Sequence, residues 1–138
     1  MKTMLVKDFM TLQAITFSKE MPLSAALHKV INSELFGGPV IDEQKKVIGF
    51  LSEQDLLDSL VKASYFCQDS HTVEDCMHRE VLSVPSSMPI IELAQMIQAG
   101  KPKMYPVIDD GKLVGVISRH QVLKAVSLSL DDCFRHPV

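Results

Sequence analysis

The chain has 138 residues, 46% hydrophobic and 22% charged, with 17 acidic against 14 basic groups. That is the composition of one globular domain with an aliphatic core, not of a disordered or fibrous chain. A net charge of −3 lacks the basic footprint of a nucleic-acid binder, and no apolar run reaches the roughly 18–20 residues of a membrane span.

At the N-terminus charge returns at Lys7 after only three apolar residues, Met4, Leu5 and Val6, so no signal-peptide core is expected. Cys67, Cys76 and Cys133 form no Cys-x-x-Cys pair and read as reduced thiols; the expected setting is cytoplasmic. A short strand is expected at Ala14–Phe17. Leu23, Ala26, Leu27, Val30 and Ile31 then recur at the spacing of one apolar helical stripe. Pro22 sits at that helix's start, where its missing N–H costs nothing. A hairpin follows, Val40-Ile41 returning through Val47–Leu51 after a polar turn.

At the strand-to-helix junction stands Gly49-Phe50-Leu51-Ser52-Glu53-Gln54-Asp55, and two roles are open to Ser52 and Asp55. The free N–H groups of a helix N-terminus attract phosphate, with the carboxylate free to accept both hydroxyls of a ribose. Alternatively, Ser52 and the residue three positions on form a capping box. Leu56, Leu57, Leu60 and Val61 supply the apolar side of the following helix.

His71, Glu74, Asp75, Cys76, His78 and Glu80 make the densest set of metal-type side chains. Their spacing matches no zinc motif, so they are expected to be a polar entry into the second half, with no metal and no catalytic role. A second short strand is expected at Val81–Val84, and Ile90, Leu93, Ala94 and Ile97 repeat the helical stripe behind Pro89. The second hairpin turns on Asp110-Gly111, a type I′ signal. Ser118-Arg119-His120-Gln121 opens a last helix with apolar Val122, Leu123 and Val126. Gln121, where the first half has Asp55, suits a capping box well. Cys133 and His136 lie in what reads as a short tail, and the eight methionines as core filler.

The two halves are copies. Pro39-Val40-Ile41-Asp42 recurs as Pro106-Val107-Ile108-Asp109, an offset of 67. At that offset Val6, Asp8, Met10, Met21 and Pro22 match Val73, Asp75, Met77, Met88 and Pro89. One residue is then lost, and Lys46, Gly49, Ser52 and Leu57 match Lys112, Gly115, Ser118 and Leu123 at an offset of 66. Repeats this short are uncomfortable alone, and two sharing a core would fit.

The order Val-x-Asp-x-Met, helix, Pro-Val-Ile-Asp, Gly-x-x-Ser, met twice and completed by Asp three residues on in the first copy only, resembles the cystathionine-β-synthase (CBS) domain. The resemblance implies an α+β fold: two β-α-β-β-α repeats, 4–63 and 71–128, packed with pseudo-twofold symmetry into one module. Residues 64–70 would be a linker and 129–138 a C-terminal tail. It also implies a stand-alone regulatory module, not an enzyme, that pairs into a homodimer, acts on a regulated protein partner and requires no cofactor. Its ligand would be adenosine-containing: AMP, ADP, ATP or an S-adenosyl compound.

Carried over by position, one cleft would combine Gly49, Phe50, Ser52 and Asp55 with Ser83, Val84, Lys101, Lys103, Met104, Tyr105 and Pro106. Asp55 would hold the ribose, the lysines would neutralise phosphate or simply form a solvated turn, and Met104 or Tyr105 would meet the adenine. A second, altered cleft would combine Ser118, Arg119 and Gln121 with Thr16, Phe17, Gly37, Gly38 and Pro39. Gly37 and Gly38 read either as turn glycines or as places of close backbone approach. Glu53 disfavours a triphosphate more than an adenosine, monophosphate or S-adenosyl ligand. The alternative is a CBS pair that has lost its ligand and serves interaction and oligomerisation only.

Overall fold

Each Met-Pro pair ends an extended segment and starts a helix. Pro22 and Pro89 are the residues immediately before the helical turns, with ψ of 146° and 138°, so the ring closes no hydrogen bond that the helix needs. The computed structural model describes residues 3–66 and 71–135, with side-chain surroundings for 3–62 and 71–131. The described chain separates into two compact units.

The first unit runs from Gln13 to Val81 and includes Gly111–Leu113. It contains α1 (Leu23–Ser33), β1 (Gly37–Ile41), β2 (Val47–Ser52), α2 (Glu53–Phe66) and the single turn α3 (Val73–Cys76). β1 and β2 are antiparallel, with Gly37 opposite Ser52 and Pro39 opposite Phe50. Asp42 makes their turn by accepting the N–H groups of Gln44 and Lys46 on Oδ1, both at 2.9 Å. Phe17, Leu23, Ala26, Val40, Leu51, Leu56 and Val73 form the core. Each large side chain buried there contributes about 1.5–3 kcal/mol.

The second unit holds the N-terminal segment to Leu12, Leu82–Asp110 and the chain from Val114 on. Its elements are a 3₁₀ turn at Val6–Asp8, α4 (Ile90–Met96), β3 (Met104–Asp109), β4 (Lys112–Ser118) and α5 (Arg119–Arg135). Asp110 and Gly111 have φ of 52° and 76°, the two positive values that a type I′ turn demands. Val6, Val84, Ile90, Leu93, Tyr105, Val107, Ile117 and Val122 form this core.

The compact units are not the sequence repeats. In the second unit Val6 N–H donates to Met88 O at 2.9 Å, Ile90 N–H to Met4 O at 2.9 Å, and Thr11 exchanges two bonds with Val116. In the first, Val73 N–H donates to Met21 O at 2.9 Å, Leu23 N–H to His71 O at 3.3 Å, and His78 exchanges two bonds with Phe50. The bonds are the same ones shifted by the repeat. Each repeat's leading segment therefore occupies the outer edge of the other repeat's hairpin, satisfying backbone groups that would otherwise be exposed.

Three expectations need correction. The short strands expected at Ala14–Phe17 and Val81–Val84 are single parallel bridges, Phe17 to Val40 and Val84 to Val107, so regular pairing gives two β-β-α units. The apolar stripes are narrower than their spacing suggested: Ile31, Leu57, Val61 and Leu123 are all more than half exposed, because one unit buries only one side of each helix. The last helix continues to Arg135, through most of the segment read as a tail. Cys133 lies in it with its side chain undescribed, and Cys67 and His136 lie outside the described residues. Cys76 is a free, half-buried thiol.

Candidate functional site

Ser52 ends β2, and Asp55 lies in the first turn of α2. Ser52 N–H and its hydroxyl both donate to Asp55 Oδ2, at 2.9 and 2.8 Å, while Asp55 N–H donates to Ser52 Oγ at 3.1 Å. This is the reciprocal capping box. It leaves Oδ1, and the structure places His78 there: Nε2 is 2.8 Å from Asp55 Oδ1. The carboxylate side chain is 13% exposed and the imidazole 67%, so the pair stands at the surface with Asp55 on its inner side.

His78 is held by its own backbone, whose N–H and carbonyl both bond Phe50 at 2.9 Å. That crossing is why position 49 is glycine. A Cβ there would lie 2.6 Å from Met77 Sδ and 2.8 Å from the His78 carbonyl oxygen.

The second unit repeats the arrangement with different chemistry. Ser118 N–H donates to Gln121 Oε1 at 2.8 Å and Gln121 N–H to Ser118 Oγ at 3.2 Å. The remaining amide, Nε2, donates to Thr11 Oγ1 at 2.7 Å. Thr11 is the counterpart of His78 at the offset of 67. One repeat thus carries a carboxylate bonded to an imidazole, the other an amide bonded to a hydroxyl.

The N-terminus of either helix is largely self-satisfied. Besides the capping boxes, Glu53 N–H donates to Phe36 O and Arg119 N–H to Lys103 O, both at 2.7 Å. Of the N–H groups expected to meet phosphate, those of Glu53 and Asp55 in one helix and of Arg119 and Gln121 in the other have protein acceptors.

The other expected residues fall as follows. Phe50 is half-buried on β2 in the first unit. Phe17 is buried, and Thr16 O accepts Lys29 Nζ at 2.6 Å, with that ammonium 5.7 Å from the Phe17 ring centre. Both line an open groove of about 720 Å³ with Lys19, Lys29, Asp42 and Ile48. Gly37, Gly38 and Pro39 are strand residues, not turn residues; a Cβ at Gly38 would lie 2.2 Å from Ile15 O. The close approach there is to the protein's own backbone.

In the second unit Ser83, Lys101, Lys103 and Arg119 are exposed, whereas Val84, Met104 and Pro106 are buried. Val84 bonds Pro106 O and Ile108 N–H through its backbone. Tyr105 is 1% exposed inside the apolar core, so its ring is a packing element of that unit and offers no face to an adenine. Burial pushes its hydroxyl above the usual tyrosine range.

The metal-type cluster disperses. Asp75 caps α3, with the Thr72 N–H at 2.9 Å and hydroxyl at 3.3 Å. The backbone bond from Thr72 is the largest influence holding its carboxyl below the ordinary range; His71, 3.8 Å away, adds a smaller pull. Among the described residues no group of three or more His, Cys, Asp or Glu side chains could hold a metal ion, and no helix is long and apolar enough to cross a membrane.

In the sequence His78 stands with this cluster, and nothing beside it points to Asp55, its partner in the structure. The available signal is the pair of offsets, 67 mapping His78 onto Thr11 and 66 mapping Asp55 onto Gln121.

The family model of the CBS domain matches residues 6–62 and again 73–128. The chain belongs to the CBS domain family. This CBS pair superposes on CBSX2 in complex with AMP with a TM-score of 0.76 and 29% identity, covering 92% of this chain and 98% of that one. It is 31% identical to the chloroplastic CBS domain-containing protein CBSX1 of Arabidopsis thaliana, over 72% of this chain and 53% of the relative. It is 26% identical to the A-adding tRNA nucleotidyltransferase of Aquifex aeolicus over 91% of this chain, but spans only 15% of that enzyme. The chain thus spans about half or less of the length of these two curated relatives.

Proposed function

We propose that this CBS pair is a regulatory, non-catalytic module that binds an adenosine-containing ligand through Asp55 and passes occupancy to a partner protein or through a homodimer. The observation that carries the reading is the asymmetry between the repeats. Only the first keeps a carboxylate at the third position of the helix, prepared by Ser52 and 13% exposed. An ionised carboxylate is acceptor-only, which suits a ribose diol that donates two hydrogen bonds. The 29% identical CBSX2, solved with AMP, supports the ligand class. Signalling then requires the ligand to bind two arrangements of the module with different affinities.

Titration calorimetry with AMP, ADP, ATP and S-adenosylmethionine tests this. Asp55→Ala should weaken the ligand that binds by roughly ten- to a hundredfold, the scale of lost charge-assisted hydrogen bonds. Gln121→Ala should leave affinity within about twofold. Equal binding by wild type and Asp55→Ala removes Asp55 from the site.

A second reading, a ligand-free interaction module, is favoured by one feature: both oxygens of Asp55 already have protein donors. Absence of a thermal shift with every adenosine compound, with a stable dimer in sedimentation, would select it.

A further inference from the structure

The two occupied oxygens of Asp55 are not equivalent. Oδ2 is held from within its own turn by Ser52, through the backbone N–H and the hydroxyl. Among the described residues, Oδ1 is held by His78 alone, from a segment 23 residues along the chain, and that imidazole is two-thirds exposed. Removing the Oδ2 bonds would uncap α2, whereas removing the Oδ1 bond leaves the helix capped. A cis-diol needs acceptor capacity that His78 now uses.

We infer that His78 is a latch on Asp55: it occupies the carboxylate oxygen that a ribose diol requires, and protonation of the imidazole tightens it. The inference rests on the adenosine reading above and adds its regulation. Histidine is the side chain whose charge ordinarily changes between pH 5 and 8. Protonated, it pairs with a carboxylate as an ion; neutral, it offers a single weaker hydrogen bond. Asp55 is the ionisable group bonded to His78 among the described residues. Glu53 and Asp58 on α2, and Arg79 and Glu80 beside His78, are all exposed, so their fields on the imidazole are screened by solvent. The counterpart pair, Gln121 with Thr11, has no ionisable member and cannot respond to pH. The repeat that keeps the carboxylate is thus also the one with a titratable latch.

The test uses 5′-methylthioadenosine, which carries the ribose diol and no group that ionises between pH 5.5 and 8. Binding to the full chain is measured at both pH values for wild type, His78→Ala and His78→Gln. Wild type should bind about two- to fivefold more weakly at pH 5.5 than at pH 8, the scale of a solvent-exposed ion pair. His78→Ala should bind at both pH values at least as tightly as wild type at pH 8. His78→Gln, which keeps a donor but not the charge, should lose the pH dependence. Circular dichroism should show both variants folded, since the side chain is mostly in solvent.

A wild-type pH dependence that persists in both variants, or wild-type binding that is unchanged by either, overturns the latch and leaves the adenosine reading standing. Tighter binding by wild type at pH 5.5 also overturns it, because the imidazole would then be helping the ligand. If neither wild type nor His78→Ala binds at either pH, with Asp55 unlatched in the latter, the adenosine reading fails and the latch falls with it.

Discussion

Replacing Tyr105 by phenylalanine should leave this protein at least as stable as it is, although Tyr105 is among the largest of its fully buried side chains. The ring is 1% exposed among Val6, Val84, Leu93, Val107 and Ile117, and Oη has no hydrogen-bond partner among the described residues. A hydroxyl buried without a partner costs about 1–3 kcal/mol of lost hydration. Tyr105→Phe removes that cost, keeps the ring's packing, and leaves a gap the size of one oxygen, worth up to about 1 kcal/mol. The net expectation is a gain of about 0–2 kcal/mol. For a domain of this size each kcal/mol moves Tm by roughly 3–5 °C.

Urea unfolding followed by circular dichroism reads the gain as a higher midpoint with an unchanged slope. A second arm uses alkali. Burial raises the hydroxyl above its ordinary value of 10.0, so the folded state favours the neutral phenol. That contribution is fully present below pH 10 and is lost as pH rises through the higher folded value. Wild type should therefore lose stability above pH 10 relative to Tyr105→Phe. A loss of 1 kcal/mol or more in the variant, with no difference in alkali, would show that the hydroxyl is hydrogen-bonded in solution and refute the reasoning. Ligand affinity should not change, because the ring belongs to the core.

Three further outcomes follow from the packing. Gly49→Ala should cost about 1–3 kcal/mol by overpacking, since the new methyl meets the His78 carbonyl at 2.8 Å; a neutral result in urea unfolding would mean the 77–78 segment shifts freely. Leu56→Ala should cost about 2–5 kcal/mol and its neighbour Leu57→Ala under about 1 kcal/mol, because the former is 2% exposed and the latter 58%; equal losses by the same measurement would place Leu57 in a buried interface. Ser86→Ala should raise the pH of acid unfolding. Ser86 donates its hydroxyl at 2.5 Å and its N–H at 3.0 Å to Asp109, holding that carboxyl below the usual range. The stabilisation is present above the ordinary aspartate range and lost as pH falls through the lower folded value, so an unmoved acid transition would count against it.

The repeat, both hairpins and all four long helices were legible in the sequence, because each depends on neighbours a few residues apart. Asp110-Gly111 specifies its turn through backbone freedom alone, and Pro22 and Pro89 mark helix starts through ring geometry. The capping boxes were legible for the same reason, since Ser52 reaches Asp55 within one turn. What was not legible is pairing across the chain. Nothing near His78 announces Asp55, 23 residues away, and nothing near Thr11 announces Gln121. Tyr105 beside two exposed lysines reads as a ligand contact, yet β3 is buried on both faces from Met104 to Val107 and its ring lies in the core. Leu57 matched Leu123 between the copies and looked like core for both, yet both lie on the outer side of their helices.

By itself, then, the sequence determined the duplicated CBS architecture and the difference in chemistry between its two helix starts, because local geometry and periodicity are written in adjacent residues. Only the tertiary structure decided that each repeat's leading segment lies along the other repeat's hairpin, and so that His78 rests on Asp55. An open hairpin edge must find backbone partners, and which distant segment supplies them depends on the closure of the whole chain.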